Sequence, residues 1–344
     1  MPIDVHAHYV PPHLLDALEG RAQDFAMSLH HGPNCQCAIH FDSGPKIRPF
    51  FSELIEPVEV RLNAMDATGI TRQVLSSWCD IFGPHLDRVS ASRWHRFLNE
   101  QLARLCEQHR DRFSMLASVP LQDAEDSAAE LEHAVRSLGA VGAVIPANVS
   151  DINLGDLDLE PFWQKAVELD VGVFIHPVQA VPLKRSAKYG LTQIAQYTSD
   201  TTMTVGSIIM SGVLDRFPAL RLLLSHGGGG VPYLVGRFDC MHERMDKTAQ
   251  GCVAKAPPSA YLKRFYYDTV LHDPGILRWL ADRVSFERVV LGSDYSFPPA
   301  DRDPVSTVRR AGFTPSEEHA ILDTNAFSLF PTLPRDGARI QLGR

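Results

Sequence analysis

The sequence predicts a (β/α)8 TIM barrel with a small hairpin insertion near its N-terminus. Three observations point there: eight short β-prone runs along 344 residues, helical periodicity between them, and polar residues gathered at the C-terminal ends of several runs. The runs are IDVHAH (3–8), TRQVLSS (71–77), FSMLASV (113–119), VGAVIPA (141–147), VGVFIH (171–176), RLLLS (221–225), FYYDT (265–269) and RVVLGS (288–293). Between them, SRWHRFLNEQLARLCEQH puts Leu98, Leu102 and Leu105 on one helical face, and EDSAAELEHAVRSLG does the same for Leu131, Val135 and Leu138. Gly139 then supplies a left-handed residue to end the second helix. A doubly wound sheet is the rival architecture, but no glycine-rich dinucleotide fingerprint follows the first run.

Residues from about 20 to 52 interrupt the alternation. They contain HHGPNCQCAIHFDSGPKIRPFF, rich in turn formers with short β-prone pieces, and read as a hairpin over the barrel mouth. The ending PTLPRDGARIQLGR (331–344) reads as a tail that wraps the surface or meets a neighbouring subunit. One domain over 1–344 accommodates all of this.

Composition narrows the function classes. With 44% hydrophobic and 22% charged residues the chain is an ordinary globular protein. A formal charge of −8 without a basic stripe argues against nucleic-acid binding. The start lacks a secretory pattern and no apolar run approaches about 18 residues, so a cytoplasmic protein without a membrane span is expected. Cys35, Cys37, Cys79, Cys106, Cys240 and Cys252 then read as reduced thiols.

The polar residues at the strand ends carry the chemistry. His6 and His8, two apart at the end of the first run, share one side of the strand. His176 ends the fifth run, His226 follows the sixth, and Asp294 follows the eighth. Singly, each has an ordinary reading: a hydrogen-bonded core histidine for His176, a turn or helix-cap residue for Asp294. Jointly they fall on the rim where barrel enzymes keep their active sites. Such nitrogen and carboxylate donors suit one divalent ion, zinc first, with manganese or iron as alternatives. Three histidines and one aspartate leave room for a water, whose pKa a bound cation lowers to about 7. His226 is then placed as general acid and base, and Asp294 counts as both ligand and catalytic group.

Two other patterns are weaker. His31, Cys35, Cys37 and His40 could hold a structural zinc, but Cys-x-Cys is an unusual spacing for one and a hairpin with incidental thiols is the favoured reading. HGGGGVPYLVG lacks the ending of a phosphate loop, and its glycines instead permit close approach of backbone to the site.

The pieces IDVHAHYVP, FIHP, LSHGGG and LGSDYSFP, in that order, resemble the amidohydrolase superfamily, and within it the branch typified by 2-amino-3-carboxymuconate-6-semialdehyde decarboxylase. The resemblance covers almost the whole chain. It implies that His6, His8, His176 and Asp294 bind the metal and that His226 is catalytic. It also implies a single ion, because VGAVIPANVS offers no lysine to bridge a second. Arg48 in KIRPFF resembles an Arg-Pro element that holds a substrate carboxylate. Arg237 in YLVGRFD resembles an arginine that one subunit of a homodimer inserts into the other's site. Guanidinium forks fit carboxylates, so a substrate with two acidic groups would use both, a surface arginine being the ordinary reading of each. Tyr189 stands where the family often has tryptophan, and Ser296 where a proline is expected. The implied activity is non-oxidative decarboxylation of a small conjugated or aromatic acid, with 2-amino-3-carboxymuconate-6-semialdehyde or a close analogue as first candidate. Metal-dependent hydrolysis of an acidic amide, ester or lactone would use the same site. A non-catalytic binding barrel is the third reading.

Overall fold

Eight parallel strands build the barrel, each close to its expected place in the chain. In chain order the strands are β1 (Ile3–His8), β2 (Met27–His31), β3 (Cys37–Phe41), β4 (Arg72–Ser76), β5 (Phe113–Ser118), β6 (Gly142–Pro146), β7 (Asn148–Val149), β8 (Ile152–Asn153), β9 (Gly172–His176), β10 (Arg221–Leu224), β11 (Phe265–Asp268) and β12 (Val289–Val290). The computed structural model describes residues 1–32, 36–178 and 183–335. The barrel sheet runs β1-β4-β5-β6-β9-β10-β11-β12, and every pairing along it is parallel. Closure is made by single hydrogen bonds rather than a regular ladder: Val5 N donates to Leu291 O at 2.9 Å and Asp294 N to His6 O at 2.8 Å. The last strand is therefore shorter than the expected 288–293. Beyond Val290 the chain turns inward at Gly292, where a Cβ would lie 2.9 Å from the Cβ of His6 and 3.0 Å from that of Asp268. Only glycine admits that approach.

Alternation along the strands sorts the core into two layers. In β9, Val173 and Ile175 join the cluster beneath the outer helices, while Phe174 points the other way with Val74, Leu116, Val144 and Leu223. Phe174 is completely buried, and its ring centroid lies 4.7 Å from that of His6. Burial of such a side chain contributes about 2–3 kcal/mol and gives the polar mouth an apolar floor.

The helices between strands follow the sequence signals. Helix Arg88–Gln108 starts at Asp87, whose carboxylate accepts from Val89 N and Ser90 N, and buries Leu98, Leu102 and Leu105. Helix Ala124–Leu138 ends at Gly139 with φ 74°. The insertion contains the antiparallel pair β2–β3, with Leu29 opposite Ile39. Cys35 and residues 336–344 of the tail lie outside the described residues. Within them, His31 faces Glu19 at 3.1 Å while burial pushes the Cys37 thiol up to about 11. The five described cysteines are free thiols, and no described helix is long and apolar enough to cross a membrane.

Candidate active site

The C-terminal ends of β1, β9, β10 and β12 converge on one mouth. His6 and His8 are both fully buried at the end of β1, and His176 closes β9. His226 and Asp294 stand just beyond β10 and β12 in the left-handed region, at φ 54° and φ 58°. Histidine and aspartate are among the few non-glycine residues that tolerate this region, and here it turns both side chains toward the barrel axis.

Asp294 is the hub. Its Oδ1 lies 3.1 Å from His6 Nε2, 3.4 Å from His8 Nε2 and 3.8 Å from His176 Nε2, while Oδ2 lies 3.3 Å from His226 Nε2. Donor atoms of His6, His176, His226 and Asp294 all fall within 4.8 Å of one another. His8 joins them through His6, Nε2 to Nε2 at 3.1 Å. Asp294 Oδ1 and His176 Nε2 are buried without a hydrogen-bond partner among the described residues, so this knot of nitrogen and oxygen donors is suited to a metal ion.

Outer contacts orient the rings. His176 Nδ1 donates to Pro177 O at 2.8 Å, and His6 Nδ1 donates to Asp268 Oδ2 at 2.5 Å, which turns each Nε2 toward the centre. His8 Nδ1 meets Ser76 Oγ at 3.0 Å. His226 differs: its Nδ1 has no partner among the described residues and its side chain borders the cavity, which His8 does not. Burial opposes a charge on His6, yet Asp294 and then Asp268 outweigh it and raise its pKa to about 10. Burial lowers His8 to about 4 and holds His176 well below the usual histidine range. For Asp294, burial acts to raise the pKa, but the imidazoles, His6 foremost, overcome it and keep the carboxyl ionised.

Above this floor opens a cavity of about 430 Å³ with His176, His226 and Asp294 at its base. Its wall carries Arg48, whose guanidinium carbon lies 5.0 Å from the Phe51 ring and 5.2 Å from that of Trp78. Arg48 Nη2 is 3.3 Å from Asp80 Oδ2. Arg48 and Phe51 thus bring the end of the insertion into the site, whereas the residues of β2 and β3 do not line the cavity. Burial, and then Asp80, pushes the nearby Tyr197 phenol up. Arg237 is not brought into this cavity: it is exposed on helix Val231–Arg244. Tyr189, 86% exposed, is likewise absent from the cavity wall.

Sequence reasoning passed over Asp268, at the end of β11. Besides holding His6, it accepts from the backbone N–H of His226 at 2.8 Å, Gly227 at 2.8 Å and Val270 at 3.1 Å. The available signal was an acid closing FYYDT, in register with the other strand-end residues. Trp78, Asp80 and Tyr197 carried no comparable signal, because they sit on loops and helix starts with no fixed spacing to the strands.

Comparison with known proteins bears on this geometry. The amidohydrolase family model matches residues 3–332. Among curated relatives, 2-amino-3-carboxymuconate-6-semialdehyde decarboxylase of Dictyostelium discoideum is 31% identical over 303 residues, covering 88% of this chain and 83% of its own. A 2-keto-4-carboxy-3-hexenedioate hydratase of Sphingobium is 27% identical, covering 97% of both chains. A dihydroxybenzoic acid decarboxylase of Polaromonas, solved with manganese and 2-nitroresorcinol, superposes with a TM-score of 0.75 at 23% identity, over 97% of this chain and 98% of its own.

Proposed function

This chain belongs to the amidohydrolase family, and from that premise we propose a metal-dependent carboxy-lyase that removes CO2, without oxidation, from a small aromatic or conjugated carboxylic acid. The carrying observation is the Asp294 carboxylate ringed by four imidazoles at the base of a cavity whose wall presents an arginine. The first candidate substrate is 2-amino-3-carboxymuconate-6-semialdehyde or a close analogue, on the strength of the Dictyostelium relative. His6, His8, His176 and Asp294 would hold one divalent ion, zinc or manganese, which supplies Lewis-acid polarisation of a bound oxygen.

The chain's own residues do the rest. Arg48, packed against the rings of Phe51 and Trp78, grips a substrate carboxylate with its planar fork. Phe51, Trp78 and Phe297 offer apolar faces to a flat substrate and exclude water around it. His226, with one nitrogen on Asp294 and the other unpaired, delivers the proton to the carbon that loses CO2. One C–C bond breaks, one C–H bond forms, and the substrate anion and proton leave as CO2 and the shortened product. Arg237 lies between Tyr233 and Met241 on one exposed stripe of its helix, the two being 79% and 51% exposed, and this supports a homodimer in which it reaches the partner's cavity.

Metal content and CO2 release test the reading together, over a panel of hydroxylated benzoates and aminocarboxymuconate semialdehyde. A bound divalent ion and CO2 evolution are expected, and His226→Asn should lower kcat by about 10²–10⁴ while retaining the metal. A new carboxylic acid or a water adduct formed without CO2 would replace this reading with hydrolysis or hydration.

A further inference from the structure

Behind the candidate centre, one arginine joins the two segments that form it. Arg61, on helix Val58–Thr68, is wholly buried, a costly place for a guanidinium unless its donors are engaged. Its Nη2 donates to His8 O at 2.7 Å and to Ser296 Oγ at 3.4 Å, and its Nη1 donates to Gln73 Oε1 at 3.0 Å. The rings of Tyr9 and Tyr295 lie 4.3 and 4.7 Å from its central carbon. Gln73 extends the path: its Nε2 donates to Asp4 Oδ2 at 2.9 Å, and Asp4 accepts from Ser293 Oγ at 2.6 Å and from His6 N at 3.1 Å.

The hydrogen bonds of Nη1 and Nη2 therefore lead to His6, to His8, or to a residue next to or near Asp294, while Nε makes no hydrogen bond among the described residues and lies 3.9 Å from Glu56 Oε1. We infer that Arg61 is a positioning residue: it fixes the register of His6–His8 against Ser293–Ser296 and so sets the spacing of the donors meant for the metal. This rests on the metal-centre reading above. The planar fork matters, because one guanidinium meets a carbonyl, an amide and a hydroxyl while presenting its faces to two rings, and an ammonium offers no such plane. Ser296, standing where proline is expected, supplies one of those contacts through a hydroxyl that proline lacks, and that hydroxyl also donates to His8 O at 3.3 Å.

The test measures zinc and manganese dissociation constants for the wild type, Arg61→Lys and Ser296→Ala by competition with a chromophoric chelator, alongside thermal midpoints of the metal-free proteins. Arg61→Lys should raise both constants about 10–100-fold and lower kcat with little change in KM. Ser296→Ala should raise the constants about threefold, as befits one long hydrogen bond. Wild-type metal affinity in Arg61→Lys, whatever happens to its midpoint, would leave a purely structural role and overturn the inference. If Arg61→Lys does not fold, Ser296→Ala decides, and an unchanged constant there overturns it. A wild-type protein that binds neither metal would instead overturn the metal centre itself, so the two failures are distinguishable.

Discussion

Replacing Asp268 by asparagine should damage metal binding and fold together. The carboxylate takes four donors, His6 Nδ1 and His226 N on Oδ2, Gly227 N and Val270 N on Oδ1. An asparagine has one acceptor oxygen, so in either amide orientation its NH2 group faces two donors. At about 1–3 kcal/mol for each buried donor left unsatisfied, the cost is about 2–6 kcal/mol. His6 also loses the partner that fixes its tautomer, for which about 10–100-fold in metal affinity is typical. Chelator competition with zinc or manganese and thermal unfolding of metal-free and loaded protein separate the two effects. An Asp268→Asn protein with a metal dissociation constant within twofold of wild type would refute the assignment of His6 as an oriented ligand.

Three further outcomes follow from named contacts. Arg48→Gln removes a charge-assisted bond worth about 1.5–3 kcal/mol, so KM should rise about 10–150-fold with kcat little changed; a fall in kcat alone would place the substrate carboxylate elsewhere. Arg237→Ala should be inactive, yet random mixing with inactive His226→Asn should restore about a quarter of wild-type activity, because half the dimers are mixed and each holds one intact site; no recovery after subunit exchange would remove Arg237 from the partner's cavity. Asp200 has its carboxyl raised from 3.8 to about 6 by burial, against the pull of an Asn148 bond at 2.9 Å. A raised carboxyl stabilises the fold fully below pH 3.8 and loses that contribution as pH rises through about 6, an effect of up to about 3 kcal/mol. Asp200→Asn should flatten this part of the stability profile, and wild-type and variant curves that stay parallel from pH 4 to 7 would contradict it.

What could be read from the sequence depended on whether a feature is local. A parallel strand buried on both faces must be a short apolar run, so seven of the eight runs match within one or two residues. RVVLGS failed in its second half because the contact that bends it, Gly292 against His6, joins the two ends of the chain. That His6, His176, His226 and Asp294 gather at one mouth could be read because they fall at strand ends in a repeating pattern. The cavity wall was not. Asp80 and Tyr197 meet Arg48 from a short turn and a helix start with no fixed spacing to the strands, and Arg61 reaches His8 from a helix face with no periodic signal.

The turns at His226 and Asp294 show why fold and centre are interdependent. A non-glycine residue held in the left-handed region costs about 1–3 kcal/mol and persists only where its surroundings hold it. For Asp294 that hold comes from β1, since Asp294 N donates to His6 O and Tyr295 O accepts from His8 N. For His226 it comes from Asp268, which accepts both His226 N and Gly227 N. The carboxylate that orients His6 from behind therefore also secures the turn presenting His226 to the cavity. A change at Asp268 should therefore disturb the proposed ligand His6 and the proposed proton donor His226 at once. A change at Arg48, which touches neither turn, should alter only the proposed grip on substrate. Parallel losses of metal affinity and kcat at the first position, set against a loss confined to KM at the second, are what this arrangement of bonds demands.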